Sequence, residues 1–427
     1  MASSKQRKSS SKDGAGKGER PSRRDEGAEL GDNIRLGDHA QGIFVAAGTF
    51  GAIAWALSVF WGLNSDETKQ FLHSYLVAFM WTLTIGLGGV FWVTLQHLVN
   101  ANWSVVVRRI GELIAGNMTL LAVLALPIVL PTLFGNDGLY IWANTQTVQA
   151  DHLLHHKAPY LNVPFFMIRF ILYFAFWSAL GRYMFVHSVR QDQSGDPKHA
   201  QRMARVSPVC MIVFALTLTF AAFDFLMSLS PYWFSTIFGV YIFAGCVISI
   251  HATLALTLMY LQAKGRLTKL IGTEHYHDIG KMMFAFTIFW AYIGFSQFML
   301  IWYGNVPEET FWYHARFTGG WRSVSWLLVF GHFVVPFFGL LSRQIKRNKK
   351  TLAFWAVWML ALHYVDMYWL VMPKLHPQGP AIHWLDITCF FGMLGLFISG
   401  LAFQARNVNL VPTKDPRLAK SLAFENI

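Results

Sequence analysis

Long runs of apolar residues, separated by short polar connections, dominate the chain from residue 42 onward. Ten of these runs approach or exceed the length of about 20 residues that an α-helix needs to cross the hydrocarbon core of a bilayer. They lie at 42–63, 71–99, 110–133, 164–189, 207–229, 233–262, 280–303, 321–342, 351–372 and 381–404. The pattern predicts an all-α integral membrane protein with about ten transmembrane helices.

The composition agrees with lipid as the solvent for most of the chain. Hydrophobic residues make up 54% of the 427 residues and charged residues only 14%, which is too little charge to cover a soluble protein of this size. Residues 1–41 differ, because they are rich in Ser, Gly, Lys, Arg and Glu and hold too little apolar surface to fold. We predict a disordered basic cytoplasmic tail at 1–41, without a signal peptide, and a second cytoplasmic tail at 405–427.

Basic residues are distributed unevenly between the two predicted sides of the membrane. Of the 35 lysines and arginines, most lie in the two tails and in alternate connections, on the side of both termini. The opposite side has only Lys69, Lys157, Arg316, Arg322 and Lys374. The positive-inside rule therefore places both termini in the cytoplasm, and it explains the net charge of +12 without a nucleic-acid partner.

Two parts of the chain repeat one another. The dipeptide Ile-Gly opens the third and seventh predicted spans and Gly-Asn follows both, at a constant offset of 169 residues. Asp224 in the fifth span and Asp366 in the ninth are each followed by a proline seven residues later. These matches predict two parallel four-helix bundles, at 71–229 and 233–372, with flanking helices at 42–63 and 381–404.

Ionisable side chains at membrane depth are costly and usually face a bundle interior or a water-filled cavity. From the cytoplasmic side outward they are His97 and Glu112, then His251, His332 and His363, then Arg169, Asp224, Asp366, His383 and Asp386. His363 and Asp366 are three residues apart and share a helix face, which fits either a proton relay or a hydrogen bond that packs helices. His383 and Asp386 repeat this spacing.

The other polar positions leave similar alternatives. Arg169 is expected to neutralise Asp224 or another carboxylate, because an unpaired charge at that depth is expensive. His97 and Glu112 fit either the mouth of a proton path or a pair of side chains solvated among the headgroups.

Metal and haem chemistry find little support in the sequence. Cys210, Cys246 and Cys389 lack the spacing of an iron–sulfur or c-type haem motif, so no metal site is predicted from them. The amphipathic segment 146–157 contains His152, His155 and His156. We interpret it as an interfacial helix below an extrinsic partner, with a metal site as the alternative.

Three stretches resemble a known family. FAAFDFLMSLSPYWFSTIFGVYIFAG at 220–245 resembles the fifth and sixth helices of the second large membrane subunit of alternative complex III, a bacterial quinol:cytochrome c or quinol:oxidase oxidoreductase. HDIGKMMFAFTIFWAYIGFSQFMLIWYGNVPEETFWYHAR at 277–316 resembles the seventh helix and outer loop of that subunit, and TLQHLVNANWSVVVRR at 94–109 agrees. The resemblance covers spans two to ten, and it extends to the membrane anchors of the polysulfide-reductase type.

The resemblance implies a subunit without its own redox cofactor, in the bacterial cytoplasmic membrane. Its expected partners are a homologous membrane subunit, an iron–sulfur protein, c-type cytochrome subunits, small single-span subunits, lipids and a terminal oxidase. The haem c and the iron–sulfur clusters belong to those partners, and menaquinol or ubiquinol is the expected substrate. The subunit would support quinol oxidation in the respiratory chain and is a candidate for proton translocation.

The resemblance also suggests roles for individual residues, with no catalytic residue and no metal ligand among them. The candidate proton path is His97, Glu112, Asp224, His251, His332, His363 and Asp366, with Arg169 as a charge partner. The candidate quinone pocket is Asp224, Asp366, Phe225 and Trp233. Two alternatives share the fold pattern: the quinone-binding anchor of a molybdopterin oxidoreductase, and a secondary transporter. The second is disfavoured because few prolines interrupt the spans.

Overall fold

The computed structural model describes residues 30–64 and 67–425, and every regular element within them is helical. Ten of these helices are long and apolar enough to cross a membrane. They are α1 (Asp38–Asn64), α2 (Thr68–Leu98), α3 (Val105–Leu133), α4 (Val163–Ser194), α5 (Lys198–Leu229), α6 (Phe238–Ala263), α7 (Thr273–Gly304), α8 (Trp321–Leu341), α9 (Lys349–Lys374) and α10 (Trp384–Ala405). The predicted class and number of spans are confirmed: the chain is an all-α, multi-pass membrane protein.

Eight of the helices form two four-helix bundles around a central pair. Helices α2 and α6 meet so closely that a Cβ atom on Gly88 would lie 2.3 Å from the carbonyl oxygen of Cys246. Helix α5 packs against both members of this pair, and α9 does the same from the other side. The bundles α2–α5 and α6–α9 therefore meet along α2 and α6, with α5 and α9 each packed against both of these helices.

Helices α1 and α10 form a separate flanking pair. A Cβ atom on Gly51 would lie 2.5 Å from the backbone nitrogen of Leu396, so small residues let the two backbones approach closely. Helix α1 turns large apolar side chains such as Phe50 and Phe60 away from the protein. Helix α2, by contrast, is buried on all sides, which explains why its sequence is apolar around the whole circumference.

Local signals in the sequence mark where the helices begin and end. Asn162 caps α4 by accepting a hydrogen bond from the backbone N–H of Phe165 at 2.8 Å, and α4 is followed by Gly195 at φ +71°. Asn348 caps α9 through the backbone N–H groups of Lys350 and Thr351. These caps satisfy polar backbone groups at the ends of the spans, where helical hydrogen bonds run out.

Two spans depart from the regular α-helix. Helix α3 is divided into the pieces Val105–Gly116, Met118–Leu124 and Leu126–Leu133, and α8 contains a π-helical segment at Leu328–Val334. The residues between the pieces of α3, Asn117 and Ala125, keep right-handed helical dihedral angles. The chain therefore remains helical through both irregularities and does not unwind at mid-membrane.

Both described ends of the chain lie at one face of the bundle, which we call the terminal face; the opposite one is the distal face. Residues 1–41 and 405–427 were predicted to be cytoplasmic tails. Residues 1–29 and 426–427 lie outside the described part, but the rest of both tails is ordered. The backbone N–H of Leu410 donates to Ile34 at 2.7 Å, and that of Leu267 donates to Asn33 at 3.0 Å. We call residues 30–37 the N-strap and 406–425 the C-strap.

Candidate functional site

The distal end of the first bundle contains a buried ion pair. Arg169 on α4 donates through Nε and Nη2 to the two carboxylate oxygens of Asp224 on α5, at 2.8 and 2.7 Å. Tyr173 donates to the same carboxylate at 2.8 Å, and the guanidinium lies over the ring of Tyr160 at 3.9 Å. Arg169 thus pairs with Asp224, the first partner that the sequence analysis named for it. This carboxylate is neutralised in place.

The equivalent carboxylate of the second bundle has a different environment. Asp366 on α9 is 1% exposed and accepts hydrogen bonds from the hydroxyl of Tyr241 on α6 and from Nε1 of Trp290 on α7, the latter at 3.2 Å. It forms no ion pair with any residue that the structure describes. The two bundles therefore place the same acid at the same end, with a cation beside one and only neutral donors beside the other.

Three histidines follow Asp366 towards the middle of the second bundle. The ring of His332, in the π-helical segment of α8, lies 4.1 Å from the ring of Trp290, the residue that also contacts Asp366. His363 contacts the hydroxyl of Thr84 on α2 at 2.8 Å through Nε2. His251 contacts the carbonyl of Val247 at 2.7 Å through Nδ1. All three side chains are fully buried.

Hydrogen-bond chemistry assigns the protons on two of these rings. A carbonyl only accepts, so His251 carries its proton on Nδ1, which leaves Nε2 as the acceptor. Thr84 donates its hydroxyl hydrogen to the carbonyl of Trp81 and therefore accepts from Nε2 of His363, which leaves Nδ1. These two ring nitrogens, and both nitrogens of His332, have no partner among the described residues. Each ring therefore retains a position that can take up a proton.

The expected contacts within the two His–Asp pairs differ from those found. His363 and Asp366 share a helix face but contact different helices, so no hydrogen bond joins them. His383 and Asp386 form a capping box at the start of α10, in which the backbone N–H of His383 donates to Asp386 at 2.8 Å. Asp386 also accepts from Ser74 at 2.5 Å. Of the two alternatives, a hydrogen bond that packs helices describes Asp386 better than a proton relay, because Asp386 joins α10 to α2.

Charged side chains are concentrated again at the terminal face. Glu112 on α3 accepts from Arg108 at 3.2 Å and from Arg109 at 2.8 Å, and Arg109 also donates to Asp192 on α4 at 2.8 Å. Arg108 pairs with Asp415 in the C-strap. The terminal-face network consists of Arg108, Arg109, Arg417, Glu112, Asp192 and Asp415. Its three cations balance its three carboxylates.

His97 and Glu112 were expected either to open a proton path or to be solvated among the headgroups. Both side chains are fully buried, so the solvated alternative is wrong. The C-strap is the physical reason, because it folds over the end of α3 and covers the network. Glu112 is neutralised by two arginines, and His97 lies beside Arg108 and Asp415 with neither ring nitrogen hydrogen-bonded to a described residue.

The charge on Asp415 depends on its partner. Burial alone would raise the pKa of this carboxyl, but the guanidinium of Arg108, together with the backbone N–H and the charge of Arg417, more than offsets that effect and lowers the pKa from 3.8 to about 2. A folded-state pKa below the ordinary value means stabilisation above pH 3.8 that is lost as the pH falls towards 2. The contribution at neutral pH is about 2 kcal/mol.

We expect Asp415→Asn to release the C-strap at pH 4, where the wild-type carboxylate is still charged. Between pH 4 and pH 2 the wild type should approach the variant, because its carboxylate becomes protonated there. Pepsin cleavage within residues 406–425, followed by mass spectrometry at several pH values, measures this. Equal cleavage of the two proteins at pH 4 would show that the ion pair does not fix the strap.

A cavity of about 380 Å³ opens at the distal face beside the first ion pair. Its walls include Tyr160, whose carbonyl accepts from Arg169, and Ser228, whose hydroxyl donates to the carbonyl of Asp224 at 2.6 Å. Trp233 also lines the cavity; it is 1% exposed, and its Nε1 has no partner among the described residues. The cavity combines apolar walls with a small number of polar groups, as small-molecule sites do.

The structure divides the predicted quinone pocket. Trp233 lines the cavity, but Phe225 is fully buried in an aromatic cluster with Phe79, Phe166 and Phe170 and does not line it. Asp224 does not line the cavity but contacts the lining residue Ser228, and Asp366 belongs to the other bundle. The four residues therefore do not form one pocket, because only Trp233 faces the cavity.

The outer-loop histidines lie on the short helix His152–Lys157. Only His156 lines the cavity, together with Lys157, whose ammonium donates to the carbonyl of Pro231 and whose pKa is lowered by burial. Within residues 30–64 and 67–425, no group of three or more His, Cys, Asp or Glu side chains converges on a possible metal position. The interfacial reading of this segment stays a prediction.

Several polar partners at these sites were not anticipated from the sequence. Tyr173, Tyr241 and Trp290 contact the two distal carboxylates from other helices, and no local pattern marks them. Arg108 and Arg109 were assigned to a connection, although they belong to the first helical piece of α3. Their spacing of four and three residues from Glu112 was a usable signal for the ion pairs.

Comparison with known proteins adds no assignment. No model of a known protein family matches the chain, and no curated protein matches it. The geometry of the buried polar groups and the resemblance of the three sequence stretches are therefore the indications of function.

Proposed function

We propose that this chain is a membrane subunit of a bacterial quinol:acceptor oxidoreductase of the alternative complex III type. It lies in the cytoplasmic membrane with the terminal face in the cytoplasm. It binds no redox cofactor of its own, supports quinol oxidation, and moves protons through the second bundle. Haem c and iron–sulfur clusters are on its partners, which are a homologous membrane subunit, an iron–sulfur protein, cytochrome subunits, small single-span subunits and a terminal oxidase.

The environment of Asp366 is the observation that supports this proposal most directly. A carboxyl group 1% exposed at membrane depth, with only a phenol and an indole as donors, is stable in its neutral form and releases its proton only to a nearby base. Two other buried carboxylates, Asp224 and Glu112, are paired with arginines, and a third, Asp386, accepts a backbone N–H as a helix cap. Asp366 lacks such a partner, which suits an acid that exchanges protons.

The histidines supply bases along the same bundle. A proton that leaves Asp366 can reach His332, which contacts the same Trp290, and then the free Nδ1 of His363. His251 has its free Nε2 deeper on α6, towards the cytoplasm. Water molecules are needed between these groups, because no direct hydrogen bond joins them. The first bundle lacks this function, since Arg169 fixes the charge of Asp224.

The distal cavity is the proposed place for a quinol ring in this chain. Its apolar walls suit the ring, and Nε1 of Trp233, which is buried at the cavity wall without a partner among the described residues, is the proposed donor to a quinol oxygen. Trp233 is fixed by stacking on Trp312, with ring centroids 4.3 Å apart. Quinol is a substrate here, and its electrons pass to centres on the partner subunits.

Trp233→Phe tests this placement, because it removes the donor and keeps a ring to stack on Trp312. We expect KM for quinol to rise about fivefold, the effect of one hydrogen bond, with little change in kcat. Steady-state quinol oxidation by the purified complex measures both. Trp92→Phe is the matched control, since Trp92 also has a buried, unpartnered Nε1 but lies towards the terminal end of α2. Unchanged KM in both variants would place the quinol elsewhere.

Purification from the native membrane tests the proposed function as a whole. A tag on this chain should recover subunits with c-type haem and iron–sulfur spectra together with quinol oxidation activity. Recovery of a haem-free monomer that moves a solute in liposomes would refute the proposal. Recovery with a molybdopterin enzyme would identify the related anchor instead.

The structure weakens the transporter alternative further. Secondary transporters generally bind substrate where helices are unwound at mid-membrane. Helices α3 and α8 are irregular but remain helical throughout. No unwound segment therefore exposes backbone carbonyls at mid-membrane in the described spans.

A further inference from the structure

An apolar groove lies on the side of the protein at the terminal face, away from the sites described above. It has a volume of about 400 Å³. Its walls are the terminal-face ends of α1, α3, α6 and α10, with side chains such as Ile110, Leu256 and Leu401. Leu36 of the N-strap and Leu410 of the C-strap close it on the aqueous side. The groove therefore opens sideways, at the depth of the hydrocarbon chains of one leaflet.

Basic side chains surround the closed end of the groove. Arg266 donates to the carbonyl of Leu36 at 3.4 Å, and Lys264 lies 5.8 Å from the ring of Tyr260, which lines the wall. Arg35 and Arg406 are sequence neighbours of the lining residues Leu36 and Ala405. None of the four cations forms an ion pair with a described residue, in contrast to the arginines of the terminal-face network.

Few carboxylates oppose these cations. Asp32 accepts from the backbone N–H groups of Lys269 and Leu270, at 2.6 and 3.2 Å, and is turned towards that loop. Asp38 begins α1 and makes no ion pair with a described residue. The rim thus has a positive excess, immediately above a slot for an apolar chain.

We propose that the groove binds one acyl chain of an anionic phospholipid from the terminal-face leaflet, with its phosphate near Lys264 and Arg266. The combination of an apolar slot at hydrocarbon depth and unpaired cations at headgroup level matches this amphiphile. An isoprenoid quinone is neutral and gains nothing from the cations. A transmembrane helix of about 20 residues is too large for the slot.

The bound lipid would fill a junction between four helices of the protein. The groove joins the flanking pair α1 and α10 to α3 and α6, one helix from each bundle. An acyl chain there fills the space between these helices. The phosphate interacts with Arg266, which contacts the N-strap through the carbonyl of Leu36. Occupancy is therefore expected to stabilise the folded chain against heat.

Native mass spectrometry of the full-length chain tests the proposal, after release from nanodiscs of phosphatidylglycerol or phosphatidylcholine with identical acyl chains. We expect one retained phosphatidylglycerol and little phosphatidylcholine. Each basic residue near a membrane surface contributes a factor of about five to the binding of anionic lipid. Lys264→Gln/Arg266→Gln should therefore weaken phosphatidylglycerol retention about 30-fold.

Two further variants separate the proposal from its alternatives. Lys198→Gln/Lys350→Gln removes two exposed lysines of the same face that do not line the groove, and it should retain the lipid. Ala402→Phe fills the slot and should abolish retention with all four cations intact. If Ala402→Phe does not fold, the comparison of Lys264→Gln/Arg266→Gln with Lys198→Gln/Lys350→Gln still tests the proposal.

Three results would overturn the proposal. The first is equal retention of the two lipids by the wild type. The second is thermal stabilisation by inorganic phosphate equal to that by phosphatidylglycerol, which would identify a simple ion effect. The third is displacement of the lipid by added quinone, which would make the groove a site for an isoprenoid tail.

Discussion

Asp366→Asn is expected to lower the rate of proton movement coupled to quinol oxidation by about 100-fold or more, the effect of losing a proton-transfer group. Asparagine keeps the volume and still accepts from Tyr241, but it cannot release a proton. The amide nitrogen cannot accept from Trp290, which costs about 1 kcal/mol of stability. Proteoliposomes containing the complex and a pH-sensitive dye allow proton movement to be compared with quinol turnover.

Asp386→Asn is the matched control for this experiment. Asp386 is also a buried carboxyl near the distal face, but it caps α10 and accepts from Ser74. Its substitution should leave coupling unchanged. Normal coupling in an assembled Asp366→Asn complex would remove Asp366 from the path, and equal loss in both variants would indicate a general disturbance of the distal face.

The second large effect concerns stability. We expect Asp224→Asn to lower the free energy of unfolding by about 3–5 kcal/mol, because Arg169 would remain buried without a counter-charge. Replacing both partners, as in Arg169→Met/Asp224→Leu, should recover most of this loss, since it removes the need to bury any charge. Thermal unfolding of the purified protein in detergent, with each variant measured at the same pH, gives the comparison.

Tyr173→Phe serves as the control for the ion pair. It removes one hydrogen bond to the charged carboxylate of Asp224 and should cost about 2 kcal/mol. If Asp224→Asn were no more harmful than Tyr173→Phe, the ion pair would not contribute to stability. A double variant as unstable as Asp224→Asn would point to packing around the site as the cause.

The two bundles differ in the partner of their distal carboxyl group, and this difference supports the proposed function. Asp224 and Asp366 lie at the distal ends of α5 and α9, and only Asp224 has an arginine beside it. A charged pair at that depth is fixed, whereas a neutral acid among neutral donors can exchange its proton. We therefore propose that the first bundle has a structural role and that the second bundle exchanges protons.

Much of the fold followed from the sequence for a physical reason. In lipid every backbone polar group must be satisfied within a helix, so length and hydropathy alone mark the spans. The repeat at 71–229 and 233–372 was predicted from matching dipeptides at the ends of the third and seventh spans. Arg169 was matched with Asp224 because a charge at membrane depth requires a counter-charge close by.

The sites were less accessible to sequence reasoning. A shared face predicted contact between His363 and Asp366, but each side chain contacts a different neighbouring helix. Glu112 was expected to be either part of a path or solvated, and nothing in the sequence announced that the C-strap covers it. The groove depends on where four helix ends and two straps meet, which no local pattern encodes.

The sequence by itself determined the all-α class and the number of spans, because these depend on the length and hydropathy of each helical segment along the chain. Only the tertiary structure decided which acid is neutralised, which histidine nitrogens remain free and which polar groups are covered. Those properties depend on side chains from different helices at distances of about 3 Å, and helix rotation and packing set such distances.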